Sequence, residues 1–190
     1  MTPSLSCIPR YFGCLLGLLL AADIVAADFG FRIVHAELAL ERSDIVLNAD
    51  IDYRFSEPAI DALRNGVPLT LFLRLRLKRE RAYWWDETVL NERRKFLIRY
   101  HPLAKLFQLR DESSNAPQNF ASLNALLDAM GAVRRLPVLP ADRLNKGEHY
   151  WATLLVGLDI ESLPLPLRPV AYVTPAWYLD SPTFQWHLAD

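Results

Sequence analysis

Cysteine is nearly absent from this 190-residue sequence, since Cys7 and Cys14 are the only two and both precede residue 28. The rest of the chain therefore has no disulfide bonds to brace a fold, even in an oxidising compartment. Thiol catalysis and cysteine-ligated zinc are excluded from it on the same ground. We expect a packed hydrophobic core instead, for which about 160 residues suffice in one domain.

Glycine and histidine are scarce as well. The glycines after residue 28 form no GxGxxG motif, P-loop or GxSxG elbow, so nucleotide cradles and the common serine-hydrolase turn lack their backbone requirement. The four histidines have no histidine partner at i+4, the spacing of a helical metal site. The sequence therefore predicts no metal site and no cofactor, and it identifies no catalytic residue. The histidines are His35, His101, His149 and His187.

Charge of one sign is also lacking, because 21 basic and 22 acidic residues leave a formal net charge of −1. Such a balance provides no general attraction to nucleic acid or to anionic lipid. We expect no nucleic-acid partner. Any electrostatic function must come from local segregation of charge.

The N-terminus has the order of a secretory signal, which is basic, apolar and then small. Arg10 precedes the uncharged apolar run Tyr11–Ala22, and Val25-Ala26-Ala27 supplies small residues for a signal peptidase. A membrane helix needs about 20 apolar residues, so this run is short for one. We expect a signal peptide over residues 1–27, cleavage after Ala27, and a periplasmic protein of a Gram-negative envelope. The alternative is an uncleaved anchor, which would be the chain's only contact with a membrane.

The stretch Val67–Asp86 (VPLTLFLRLRLKRERAYWWD) carries the clearest pattern in the chain. Leucine occupies every odd position from Leu69 to Leu77, and largely cationic residues alternate with it. A period of two predicts a β-strand with one buried face and one wet face.

The other segments predict a mainly β (α+β) fold. We expect an antiparallel β-sandwich or a partly open barrel of about six to seven strands with two short helices, in a single domain over residues 28–190. In the first strand, Val34, Ala36, Leu38 and Leu40 share one face. The helices are expected after the caps Ser56 and Asn119. Residues 133–140 should be extended, and the proline-rich residues 162–169 should form polyproline II along an edge, with their leucines closing the core.

A cationic face is the main candidate site. If the leucine strand pairs with the next strand, six positive charges share the outer face, and two tryptophans lie at the connection. Arginine beside tryptophan suits polyanions, aromatic or sugar rings, or the hot spot of a protein partner. The alternative is a solvated sheet face without a binding role. In that case the tryptophans cover the edge of the core, with one ring buried and the other half exposed. The candidate residues are Arg74, Arg76, Lys78, Trp84, Trp85, Arg93, Lys95 and Arg99.

Asp50 and Asp52 share one face of the second predicted strand. Paired carboxylates can hold a cation or perform acid–base chemistry. The alternative is a structural role, in which they face Arg74 and Arg76 as cross-strand ion pairs.

Several short motifs follow one another along the chain: Tyr53-x-Phe-Ser56, Asn65-Gly-Val-Pro-Leu69, Trp84-Trp85-Asp86, Tyr100-His-Pro-Leu103, Phe120-x-x-Leu123, Leu158-Asp-x-x-x-Leu-Pro-x-Pro-Leu167, Trp177 and Ser181–Trp186. Their combination resembles the proteobacterial family of exported proteins known as domain of unknown function 4390. The resemblance covers nearly all of the chain after the signal segment. It implies an envelope protein without assigned activity, cofactor or catalytic residues. It also implies a gene near a nitrogen-regulation-type sensor kinase.

Three functional hypotheses follow. The first is a non-enzymatic periplasmic binding or interaction module, whose partner is the periplasmic region of a sensor kinase, another envelope protein or an anionic envelope component. The second is a hydrolase in which dispersed Asp, Glu and His residues converge in a pocket. The third is a signal-anchored subunit of an inner-membrane complex.

Overall fold

Strand β3 (Leu69–Arg79) lies inside the larger of two antiparallel sheets, between β4 (Glu87–His101) and β8 (Tyr150–Leu158). The structure is a computed structural model that describes residues 29–113 and 116–188. The expected signal peptide and its cleavage site lie outside the described residues. The remaining strands are β1 (Gly30–Glu41), β2 (Asp44–Arg54), β5 (Leu106–Asp111), β6 (Gln118–Phe120), β7 (Ala132–Pro140) and β9 (Phe184–His187); the helices are α1 (Glu57–Arg64), α2 (Leu123–Gly131) and α3 (Arg168–Val173).

The two sheets confirm the expected mainly β antiparallel fold. The smaller sheet has the order β1-β2-β7, and the larger has the order β6-β5-β4-β3-β8-β9. The sheets do not close into a barrel. Short β6 and proline-containing β7 bring the total in the described residues to nine strands, above the six or seven expected from sequence. Strand β7 covers residues 133–140, which the sequence predicts to be extended, whereas β6 has only three residues and is too short to be recognised without its neighbour.

The alternation of β3 sorts its side chains as predicted. All five leucines of the strand are at most 3% exposed, and they form one core with buried residues of the smaller sheet and of α1 and α2. Arg74 and Lys78 are half-buried and Arg76 is exposed. Leucine therefore provides the core face, and the cations occupy the opposite face.

The predicted inner face of β1 is wrong in part. A β-bulge interrupts its register with β2, so that Ile33 is opposite Ile51 but His35 is opposite Asp50. The extra residue, Val34, turns outward and is 60% exposed, while Phe31, Ile33 and Ala36 are buried. A bulge changes which residues face inward, and simple alternation does not reveal it. Leu40, near the end of the strand, is also exposed.

The two expected helices form, and one of the two predicted caps is wrong. Ser122 caps α2, since its Oγ accepts a hydrogen bond from the Ala125 amide at 3.1 Å, whereas Asn119 lies in β6. Ser56 occupies the N-cap position of α1 as predicted, but its hydroxyl donates to the Ala176 carbonyl at 2.6 Å and makes no cap bond. Its side chain thus joins α1 to the C-terminal segment.

The prediction of polyproline II over residues 162–169 is also wrong. Residues 160–162 form a single 3-10 turn, and the third helix, α3, begins at Arg168 with Pro169 in its first turn. Proline is tolerated there because the first amides of a helix have no intrahelical acceptor. Leu163 is buried as expected, but Leu165 is 72% exposed. Within the described residues, no helix is both long enough and apolar enough to cross a bilayer.

Candidate functional site

The pairing of β3 with β4 brings the predicted cations together. Arg74 lies opposite Arg93 and Phe72 lies opposite Lys95 in the antiparallel register, and directly paired residues point to the same side of a sheet. We call the side formed by Arg74, Arg76 and Lys78 of β3 and Arg93, Lys95 and Arg99 of β4 the basic face. It lies opposite the leucine core.

Asp159, just beyond β8, neutralises part of the basic face. Its carboxylate lies 3.3 Å from Nη2 of Arg93 and 3.0 Å from Nζ of Lys95, and it accepts a hydrogen bond from Ser162 Oγ at 3.0 Å. Burial opposes ionisation of Asp159, but hydrogen bonds from Lys95 and Ser162 and the nearby positive charges outweigh it and lower its pKa. Sequence reasoning missed this partner, because 64 residues separate it from Lys95 (159 − 95).

Phe72 provides an aromatic platform within the basic face. The guanidinium carbons of Arg93 and Arg74 lie 4.5 Å and 5.6 Å from the centroid of its ring, which is cation–π distance. Gly157 of β8 lies beside the ring, and a Cβ there would collide with the Asp180 carboxylate and come within 2.8 Å of the ring. The absence of a side chain at residue 157 thus makes room for both Asp180 and Phe72.

The other cations of the basic face have no acidic partner in residues 29–113 and 116–188. Arg76 Nε donates to Asn91 Oδ1 at 3.3 Å, and Lys78 Nζ lies 4.8 Å from the Trp151 ring centroid. Arg74 contacts Phe72 as described, and Arg99 is exposed opposite Gln108 of β5. These four side chains carry positive charge that nothing in the described chain neutralises.

Trp84 and Trp85 do not lie on the basic face. They belong to residues 80–86, the aromatic loop, which follows the last β3–β4 pair, Arg79 and Glu87. Tyr83, Trp84 and Trp85 are 94%, 78% and 94% exposed. The expectation of one buried and one half-exposed ring is wrong, because strand alternation does not apply to a loop.

The base of the aromatic loop is held by polar contacts. Arg79 and Arg81 both donate to Glu87, and these hydrogen bonds lower the pKa of that carboxyl group. Trp151 Nε1 donates to Asp86 Oδ2 at 2.9 Å. The loop is therefore anchored at both ends while its three rings project into solvent.

Asp50 and Asp52 lie in the smaller sheet, so the predicted ion pairs with Arg74 and Arg76 do not form. Strand β2 pairs with β1 and β7 rather than with β3. Asp50 instead forms an ion pair with Arg134 of β7, and Asp52 forms ion pairs with Arg32 and Arg54. The two carboxylates line an open cavity of about 420 Å³ together with Asp128 of α2.

The remaining acidic and histidine candidates are dispersed. His35 lies near Glu37 and His187 lies near Glu80, at 3.7 and 3.5 Å, in different sheets. Asp86 and Asp159 lie beyond opposite ends of β3. In the part of the chain that the structure describes, no group of three or more His, Cys, Asp or Glu residues could hold a metal ion.

An apolar groove, which sequence reasoning did not anticipate, opens at the same end as the aromatic loop. Its volume is about 760 Å³. The Glu80 amide donates to the His149 carbonyl at 2.9 Å and joins the loop to the groove wall. Leucines that look like core residues in the sequence line it and are partly or largely exposed. The apolar lining includes Leu38, Leu40, Ile45, Leu144, Tyr150 and Leu188.

Comparison with families of known proteins gives a match over most of the chain. The model of a family described as Domain of unknown function (DUF4390) matches residues 29–187, which include all nine strands of the described chain. No curated protein and no solved structure matches the sequence.

Proposed function

The chain belongs to the DUF4390 family, and we propose that it is a non-enzymatic periplasmic interaction module whose basic face binds an acidic protein partner. The partner we propose is the periplasmic region of an envelope sensor kinase. One observation carries the proposal: four cations on β3 and β4 have no acidic partner in the described chain, although the net charge of the sequence is −1. Local segregation of charge favours electrostatic recognition of a specific partner over non-specific association.

The geometry of the basic face favours a binding role over that of a solvated surface without a partner. Arg93 is fixed from two sides, by the Phe72 ring and by Asp159. A side chain that is already held loses less conformational entropy when a partner binds. Alternate residues of a strand lie about 6.7 Å apart, so Arg74, Arg76 and Lys78 form a regular row. In an extended acidic segment of a partner, alternate side chains have the same spacing, so their negative charges can lie opposite this row.

A double charge reversal tests this proposal. We expect Arg74→Glu with Arg76→Glu to abolish binding to the purified periplasmic region of the proposed sensor kinase. Binding of the unaltered protein should weaken as salt rises, because exposed charges are screened. The matched control is Arg42→Glu with Lys146→Glu, which changes net charge equally at exposed positions outside the basic face. Unchanged binding by the first variant, or equal loss in both, would contradict the proposal.

A hydrolase is the second candidate, and the shared cavity of Asp50 and Asp52 is the observation that favours it. Arginine side chains already bind both carboxylates, which leaves less of either free to activate water. If this candidate holds, Asp52→Asn should abolish hydrolysis of chromogenic ester or glycoside substrates without changing the melting temperature.

The third candidate, a signal-anchored subunit of an inner-membrane complex, depends on the N-terminal segment. N-terminal sequencing of the protein isolated from the envelope separates it from the first. A chain that begins at residue 28 supports the periplasmic module, and a chain that keeps residues 1–27 supports the anchored subunit.

A further inference from the structure

We propose that the aromatic loop inserts into the headgroup region of a phospholipid bilayer and holds the domain at a membrane surface. The proposal is separate from protein recognition by the basic face, because the rings lie beyond the end of the β3–β4 ladder rather than on the sheet. It assigns a ligand to Tyr83, Trp84 and Trp85, which have no packing role in the domain.

The exposure of the three rings is the first observation. Each ring is at least 78% exposed, although elsewhere in the described chain Trp177 is only 5% exposed. Tyrosine and tryptophan combine an apolar ring with one polar N–H or O–H group, and they concentrate at membrane–water interfaces for that reason. A group of adjacent exposed apolar side chains is one mark of an interaction site.

The unpaired backbone of the loop favours a bilayer over a protein partner. Tyr83, Trp84 and Trp85 are consecutive in a loop without strand pairing, so no ladder fixes the direction of each ring. A fluid headgroup layer surrounds rings of any orientation, whereas a rigid protein surface contacts those that point toward it. A protein contact at the loop is one of the outcomes that the experiment below distinguishes.

The charges at the base of the loop are nearly balanced. Residues 79–87 carry two arginines and three carboxylates, a formal charge of −1 (2 − 3). Arg79 and Arg81 both bind Glu87, Asp86 accepts a hydrogen bond from Trp151, and Glu80 lies 3.5 Å from His187. Each acidic group near the rings thus has a polar partner, and none presents a bare carboxylate to a lipid phosphate.

The groove beside the loop extends the apolar surface at this end. Leu40 lines the groove and is 65% exposed, and the Glu80–His149 backbone hydrogen bond holds the loop against the groove wall. With the rings inserted, this end of the sandwich faces the bilayer. The apolar groove would then lie against lipid instead of water.

Quenching of tryptophan fluorescence by brominated lipid tests the insertion. The full chain is mixed with vesicles of phosphatidylethanolamine and phosphatidylglycerol that carry bromine on their acyl chains. The depth of the rings is measured rather than binding, because every variant of the full chain keeps the apolar residues 11–22, whose own affinity for vesicles would be the same in each. We expect strong quenching of the unaltered protein and loss of at least half of it in Trp84→Ala with Trp85→Ala.

The control is Leu103→Ala, which removes an equally exposed apolar side chain from the β4–β5 turn at the opposite end of β4. It should be quenched as strongly as the unaltered protein. Equal quenching of the tryptophan variant and the unaltered protein would overturn the proposal, as would rings that acrylamide reaches equally with and without vesicles. Arg74→Glu with Arg76→Glu should keep full quenching, so loss of the protein partner and failure of membrane insertion are read independently.

Discussion

The guanidinium group of Arg93 lies over the ring of Phe72, 4.5 Å from its centroid, and the same side chain reaches Asp159 at 3.3 Å. One arginine thus joins three elements, because Phe72 is in β3, Arg93 is in β4 and Asp159 follows β8. These contacts hold the centre of the basic face in place. Mutation of Phe72 or of Asp159 removes one contact of Arg93 and leaves the other.

The Arg93–Phe72 contact should be measurable as a coupling free energy. Phe72→Leu keeps an apolar side chain but removes the ring, and Arg93→Gln removes the charge. A double-mutant cycle of the free energy of unfolding should give a coupling of about 0.5 to 1 kcal/mol, as for a partly exposed cation–π pair. A cycle on Arg99 and Phe72, which do not touch, serves as the control. A coupling of zero in the first cycle would show that the stacking does not stabilise the fold.

Asp159→Asn should destabilise the protein most at neutral pH. We expect a loss of about 1 to 3 kcal/mol at pH 7, because two cations lose their partner. The pKa of Asp159 is lowered below 3.8 in the folded chain, so its ionised form stabilises the fold above that value. This stabilisation disappears as the pH falls through the lowered pKa. The difference between the two proteins should therefore shrink toward zero under acid.

Chemical denaturation at pH 7 and below pH 3 checks this difference. Asp142→Asn, at an exposed position, is the matched control and should change the free energy of unfolding by less than about 0.5 kcal/mol. A difference between Asp159→Asn and the unaltered protein that stays constant across the pH range would contradict the proposed role of the ionised carboxylate.

Truncation of two neighbouring residues of β3 should lower the free energy of unfolding by very different amounts. Leu75 is 1% exposed, so Leu75→Ala should lower the free energy of unfolding by about 2 to 5 kcal/mol through lost burial and a cavity. Arg76→Ala, one residue away on the wet face, should cost less than about 0.5 kcal/mol. Urea denaturation of both variants checks the expectation. Equal losses would mean that the two sides of the strand are not sorted as described.

Gly131 at the end of α2 should not accept a larger residue. A Cβ there would collide with the backbone carbonyl of Ile51 in β2, which cannot rotate away as a flexible side chain does. Gly131→Ala should therefore destabilise the protein by about 1 to 3 kcal/mol. Asn124→Ala adds alanine at an exposed position of the same helix and should cost less than about 0.5 kcal/mol. Thermal unfolding of the two variants distinguishes them.

Local pattern was enough to predict β3 and its buried leucines, because the alternation is long and neighbouring residues contain the information. The pairing of β3 with β4 entered only as the condition for a shared cationic face. The observed register fulfils that condition and places Arg74 opposite Arg93. Local pattern could not provide Asp159 as their neighbour, because that contact depends on the pairing of β3 with β8 across most of the chain.

The errors also have physical causes. Val34 turns outward at a bulge that exists only in the pairing with β2, and Asp50 meets Arg134 because β7 rather than β3 lies beside β2. Trp84 and Trp85 lie beyond the last ladder pair, where strand periodicity has no meaning. Each of these errors depends on where a strand ladder begins, changes register or ends. Tertiary contacts determine those positions, and the local sequence does not.

The position of β3 between β4 and β8 has a consequence for how the chain reaches its native state. Strand β4 begins eight residues after β3 ends (87 − 79), but β8 begins only at residue 150. A hairpin of β3 and β4 can form early, whereas the other edge of β3 must wait for a distant segment. Until then the five-leucine strand has an open edge, which favours self-association. A chain that is cut before residue 150 should therefore aggregate rather than fold into a smaller domain.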